Sequence, residues 1–199
     1  MVNIDIYMKK LLKRFRKLLG MNKGFTLIEL LVVIGILGVL AAALVATIDP
    51  FEQLKKAQDS NTKNTLVEFL NANVRYYTTH NTFPWTATGA NCNGGVAPDG
   101  TKSLTDATLS TCVNALVSDN ELKQAFSSAT DILKLIYVTY DGVNNEVVGC
   151  FQPQSKSQQN DANTKFNSNG VLGTGTKACT FNADGTPSNL NGGCFWCTK

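Results

Sequence analysis

Histidine occurs once in the 199 residues, at His80, and no cysteine precedes Cys92. A single histidine excludes a histidine-built metal site. With no carboxylate or second histidine beside it in sequence, His80 reads as a solvated residue at a helix exit. No serine or cysteine stands next to a base, no glycine-rich loop of the phosphate-cradling kind occurs, and no spacing brings two carboxylates together. The expectation is a protein that is not an enzyme. Charge is scarce over one long stretch, because from Phe25 to Ile48 the only charged residue is Glu29. A carboxylate at membrane depth is costly, and such residues normally face a partner.

The apolar run after Glu29, residues 30–48, would span about 28 Å as a helix, close to the roughly 30 Å hydrocarbon core of a bilayer. Ahead of it, Lys9, Lys10, Lys13, Arg14, Arg16, Lys17 and Lys23 face only Asp5, so residues 1–24 carry a formal charge of +6. That excess keeps the N-terminus on the cytoplasmic side. Leu11, Leu12, Phe15, Leu18 and Leu19 fall on one face between basic residues, the pattern of a short helix lying on an anionic membrane surface. The sequence leaves Met1, Met8 and Met21 open as the start.

A basic leader, Gly24 followed by Phe25, Glu29 as the fifth residue from Phe25, and a long apolar helix resemble the class III signal of type IV pilins and of type II secretion pseudopilins. The resemblance implies that a prepilin peptidase cuts after Gly24 and methylates Phe25. It also implies that Phe25 and Glu29 serve assembly. It runs from Lys23 to about Pro84 and fades beyond Trp85. Two plainer readings compete. A secretory signal cleaved near Ala41, Ala42 and Ala43 would have an apolar core of about 7–15 residues without an acid, and this run is longer and contains one. A simple single-pass anchor leaves Glu29 without a role.

The six cysteines, Cys92, Cys112, Cys150, Cys179, Cys194 and Cys197, all follow the apolar run. An even set confined to the exported side reads as disulfides in an oxidising compartment. Cys92 and Cys112 bracket one loop and are expected to pair, with the late four pairing among themselves. Cys194-Phe195-Trp196-Cys197 lacks the helix N-terminus that a redox site needs and the second close pair that a zinc site needs. Residues 25–199 hold 11 Lys plus Arg against 14 Asp plus Glu, a formal net of −3. The basicity of the whole chain belongs to the leader, so no nucleic-acid surface is implied.

Past the run, Asp49-Pro50-Phe51-Glu52 predicts a helix restart with a kink, Asp49 capping and Pro50 at the first helical position. Residues 55–64 are nearly all polar and lie outside the membrane. Leu66, Phe69, Leu70, Val74 and Tyr77 then form an apolar stripe that packs under a head. In the head, residues 86–102 read as loop. Helical pieces surround Leu109 to Val117 and Leu122 to Phe126, with Asp119 or Asn120 capping the second. Strands are expected over 132–140 and 146–151 as a hairpin through residues 141–145. Residues 152–170 read as an exposed loop or polar edge element, and 182–193 as loop. The resemblance adds a weak calcium candidate at Asn182, Asp184 and Asn189, with one carboxylate where hard cations usually find several.

The fold class is therefore α+β, a long hydrophobic N-terminal helix packed against a small antiparallel sheet, as in type IV pilins. The expected organisation is a leader over 1–24, a long helix over 25–84 and a disulfide-stabilised head over 85–199. The helix divides at residue 48 into a transmembrane, filament-core half and an amphipathic half. The expected function is that of a structural subunit of a pilus-like filament, stored in the cytoplasmic membrane and exposed at the cell surface or in the periplasm when mature. Its partners would be the peptidase, copies of itself and an assembly platform. A type II secretion pseudopilin and a membrane-anchored adhesin or DNA-uptake receptor that never polymerises are the alternatives. Gly24→Val should leave full-length precursor in the membrane, and mass spectrometry finding Phe25 still at the N-terminus of that variant would refute the processing assignment.

Overall fold

The computed structural model describes residues 24–47, 49–86, 92, 96–173 and 179–199. The expected leader helix, the choice of start, and residues 87–91 and 93–95 of the loop expected over 86–102 lie outside the described residues. The chain divides into two compact units, Met1–Asp49 and Pro50–Lys199.

In the first unit, α1 runs over Leu27–Thr47. Its span Leu27–Val45 has 19 residues with a mean hydropathy of 2.8, and none of them is buried. By length and composition it can cross a membrane.

The second unit begins with α2, Pro50–His80. Proline leads because a first-turn residue has no intrahelical acceptor for an N–H. Asn81 ends the helix in a left-handed conformation (φ 54°), its N–H donating to Tyr77 O at 2.8 Å. One face of α2 buries Asp59, Thr62, Leu66, Phe69, Leu70, Ala72, Asn73 and Tyr76, at the three- and four-residue spacing of a helix lying on a core. Val74, expected on that stripe, is 57% exposed. Asn73 takes the inward position instead, donating to Phe69 O at 2.8 Å.

The head follows as β1 (Asp99–Ser103), α3 (Ala107–Ser118), α4 (Gln124–Ser127), α5 (Thr130–Leu133), β2 (Ile136–Asp141), β3 (Glu146–Phe151), α6 (Lys156–Gln159), β4 (Thr164–Phe166) and β5 (Phe195–Thr198). The sheet has the order β1-β2-β3-β5-β4, and its pairings are antiparallel. The hairpin β2–β3 pairs Ile136 with Phe151 and Asp141 with Glu146. Asp141 Oδ1 accepts the Val143 N–H at 2.9 Å in its turn.

Alternation along these strands separates two cores. Ile136, Val138 and Phe151 face α2, where Gly149 leaves room for Leu66. A Cβ at Gly149 would stand 2.2 Å from Leu66 Cδ1. The other face carries Tyr137, Cys150 and Phe195, with Val148, Phe166 and Leu190 around them.

Several boundaries differ from the sequence expectation. Residues 130–133 form a helical turn, so the strand expected from Ile132 starts at Ile136. Residues 99–103, expected within a loop, form the edge strand β1. Asp119 and Asn120 close α3 and do not cap the helix that follows. Asn120 has φ 60°, and the Glu121 and Leu122 N–H groups return to Leu116 O. The polar stretch 152–170 is partly internal, with Gln152, Ser155, Thr164 and Ser168 buried.

A carboxylate ties this stretch to the helix. Asp59, 2% exposed, accepts Gln154 N–H at 2.8 Å through Oδ1, and Ser155 N–H at 2.9 Å and Ser155 Oγ–H at 2.6 Å through Oδ2. Buried carboxylates survive when hydrogen bonds replace their water. Asp59→Ala would strand one buried and one partly buried backbone donor and should destabilise the head by about 3 kcal/mol, with Asp59→Asn less severe because one acceptor remains. Chemical denaturation of the detergent-solubilised protein measures this, and a change below about 0.5 kcal/mol would show that the contact contributes little.

Candidate functional site

Gly24, Phe25 and Thr26 precede α1, and Phe25 is 79% exposed. A Cβ placed on Gly24 meets nothing within 4 Å, so the fold itself does not demand glycine there. Thr26 caps the helix. Its N–H and hydroxyl donate to Glu29 Oε2 at 2.9 and 2.8 Å, and Glu29 N–H donates back to Thr26 Oγ1 at 3.3 Å. This reciprocal exchange is a capping box, in which a threonine and a glutamate three residues on satisfy helix-start donors that the helix leaves open. The carboxylate at the head of the apolar run is thus held by its own chain. Both bonds fall on Oε2, and Oε1 has no hydrogen-bond partner among the described residues. Phe25, Ile28, Val32 and Val33 line an apolar hollow beside it.

Thr26 escaped the sequence reading, although the Thr-x-x-Glu spacing that marks a capping box is legible at 26–29. The box gives Glu29 a local role distinct from any contact with another molecule. An N-cap is typically worth about 1 kcal/mol, so Thr26→Ala should speed amide exchange in the first turn of α1 by roughly fivefold, and Thr26→Ser should restore it. Unchanged exchange in Thr26→Ala, measured on the micelle-bound full chain, would show that the box does not hold the helix start.

The cysteines pair as Cys92–Cys112, Cys150–Cys197 and Cys179–Cys194. The first joins the segment after α2 to α3. The second crosses directly between paired residues of β3 and β5. The third ties the late loop to the start of β5. Within Cys194-Phe195-Trp196-Cys197, the last three residues belong to β5 and the two cysteines are anchored to different segments. Trp196 packs on Phe151, and Lys63 Nζ stands 4.3 Å from the centre of its ring.

The calcium candidates are engaged in turns, Asn182 and Asp184 in one around Thr186 and Asn189 in another. Asp184 Oδ1 accepts the Thr186 hydroxyl at 2.6 Å and the Thr186 N–H at 3.0 Å, and these bonds, the hydroxyl first, hold its carboxyl below the usual range. Asn182 Nδ2 donates to Thr186 Oγ1, and Asn189 Oδ1 accepts the Asn191 N–H. Among the described residues no group of three or more His, Cys, Asp or Glu is placed to hold a metal. His80 is the last residue of α2. Its ring stacks on Tyr76 at 4.1 Å, and Nε2 lies 3.7 Å from Asp119 Oδ2.

A family model described as the prokaryotic N-terminal methylation motif matches residues 20–45, the segment that holds Gly24, Phe25, the capping box and most of α1. No curated protein and no solved structure matches the chain. Residues 20–45 thus carry the leader signature of type IV pilins and pseudopilins, and the chain reads as a pilin- or pseudopilin-like precursor.

Proposed function

We propose that the chain is a structural subunit of a type IV pilus-like filament. It is inserted with its N-terminus in the cytoplasm, cleaved after Gly24 by a prepilin peptidase, methylated at Phe25, and polymerised through α1. The observation that carries this reading is Glu29, a capped carboxylate at the head of a helix whose 19-residue apolar span has no covered side chain. Such a helix needs an apolar surrounding. A bilayer provides it for the stored subunit, and other copies of α1 provide it in a polymer. The role is structural, with no catalytic step and no cofactor.

Cleavage would create an amine at Phe25, about 6 Å along the helix from Glu29. A neighbour displaced along the bundle brings its own amine to the open Oε1 of Glu29. Two opposite charges in an apolar bundle stabilise each other, and either alone is strongly unfavourable. Glu29→Ala should therefore leave processed subunit in the membrane at wild-type level while polymer is lost or falls severalfold. Sheared surface filaments quantified against the membrane pool measure this. Filaments at wild-type yield would overturn the pairing and favour an anchor that does not polymerise.

A further inference from the structure

Among the late four cysteines the fold selects a pairing other than the one an unfolded chain closes most readily. Four cysteines allow three pairings. The structure holds the nested one, in which Cys150–Cys197, with a sequence separation of 47, encloses Cys179–Cys194, with a separation of 15. The consecutive alternative joins Cys150 to Cys179, 29 residues apart, and Cys194 to Cys197, three apart. Loop closure falls with the 3/2 power of length, so Cys150–Cys179 closes about twofold more readily than Cys150–Cys197, and Cys194–Cys197 about tenfold more readily than Cys179–Cys194. Export in chain order adds to this bias, because Cys179 joins Cys150 outside before Cys194 or Cys197 has emerged.

The folded head cannot contain the consecutive pairing. β5 follows Cys194 directly, and three residues of extended chain cover about 10 Å, beyond the roughly 7 Å that a disulfide spans between Cα atoms. The native bridge Cys150–Cys197 closes between residues directly opposed in the β3–β5 ladder, where Gly149 faces Thr198 and Phe151 faces Trp196. A slip of one residue would turn Cys197 to the other face of the sheet. Because β5 lies between β3 and β4, a Cys194–Cys197 bridge that bars β5 leaves those two strands unjoined. In the finished head Cys150 and Cys194 are buried and closed to further exchange. Correction therefore precedes the docking of β5, while Phe195, buried in the folded head, still lies open beside the misplaced sulfurs.

We propose that the head is a substrate of a thiol–disulfide isomerase on the exported side of the membrane, and that Cys194-Phe195-Trp196-Cys197 is the segment on which it acts. The inference rests on the reading of an exported head given above. A dithiol oxidase first makes the consecutive bridges, taking two electrons for each and leaving as the dithiol. The isomerase thiolate then attacks Cys197 Sγ, the Cys194–Cys197 bond breaks, a mixed disulfide forms, and Cys194 leaves as a thiolate. That thiolate attacks Cys179 Sγ, which forms Cys179–Cys194 and releases the Cys150 thiolate. Cys150 in turn attacks Cys197 Sγ, which forms Cys150–Cys197 and returns the isomerase thiolate. Three S–S bonds form, three break, and no net electron is transferred. Phe195 and Trp196, between the two sulfurs, mark the unfinished chain with exposed apolar surface that is withdrawn when β5 docks.

Refolding of the reduced full chain in detergent tests the proposal. One sample receives a dithiol oxidase in its disulfide form, and a second also receives a catalytic amount of protein disulfide isomerase in its dithiol form. Bridges are mapped by mass spectrometry of unreduced peptides cut after Phe195 and Trp196. With oxidase alone the expected bridges are Cys92–Cys112, which joins consecutive cysteines, together with Cys150–Cys179 and Cys194–Cys197. The isomerase should raise the native late bridges about fivefold or more and leave Cys92–Cys112 unchanged. In Cys179→Ser/Cys194→Ser only the native pair remains among the late cysteines, so Cys150–Cys197 should form at the same yield with or without the isomerase. Native late bridges at equal yield without the isomerase, an equal dependence of Cys92–Cys112 on it, or a dependence that persists in the double variant would each overturn the proposal. Free thiols at all six cysteines in protein isolated from cells would overturn the exported reading, and the encounter with an isomerase along with it.

Discussion

The constraint on which the rest depends is that, among the described residues, no side chain of the apolar span of α1 is buried. Its 19-residue span is exposed throughout, and a soluble domain would hide such a surface or lose its solubility. This segment therefore needs an apolar surrounding. The compact units of the chain meet in sequence at Asp49 and Pro50. Glu29 sits at the limit of the apolar segment, where the capping box with Thr26 keeps its carboxylate hydrogen-bonded whichever apolar phase surrounds the helix.

The head assembles its core on the far part of α2. Leu66, Phe69 and Leu70 supply the helix side, and Ile136, Val138 and Phe151 supply the sheet side. That core leaves much of the segment beyond β3 in polar loops, and these are fastened point by point. Asp59 holds residues 154–155, Cys150–Cys197 and Cys179–Cys194 hold the C-terminal strand, and Cys92–Cys112 holds the segment after α2. Covalent links of this kind restrict the unfolded chain and suit a small domain made in an oxidising compartment. Each of these fasteners acts outside the apolar segment, so processing at Gly24 and folding of the head involve separate residues.

What the sequence made legible was whatever depends on local pattern. The apolar span, the restart at Pro50, the stripe through Leu66, Phe69 and Leu70, and the hairpin through Asp141 and Asn145 all follow from periodicity or turn chemistry within a few residues. The elements that escaped are set by distant partners. β5 is four residues long and becomes a strand because it pairs with β3 more than 40 residues earlier, and β1 is an edge strand of polar residues with no alternation to mark it. Asp59 looked like one more polar residue on a solvated helix, since its partners lie 95 and 96 residues away. Val74 kept helical spacing with the stripe yet points outward, because Ala72, Asn73 and Tyr76 occupy the covered face. At the candidate site the carboxylate and the glycine are legible from the sequence, whereas Thr26 is a single polar residue at the start of a long apolar run, where hydrophobicity masks the capping signal.

The central claim is that the amine created at Phe25 meets Glu29 of another copy in the polymer. The direct measurement is solid-state NMR of filaments assembled from an equal mixture of copies, some labelled with nitrogen-15 at phenylalanine and the others with carbon-13 at glutamate. Phe25 supplies the one phenylalanine nitrogen that is an amine, so its signal stands apart from the amides. The account predicts magnetisation transfer between that amine and the Glu29 carboxyl carbon across the two labelled populations, the signature of a charge pair within about 4 Å. Intact filaments with no such transfer would contradict it.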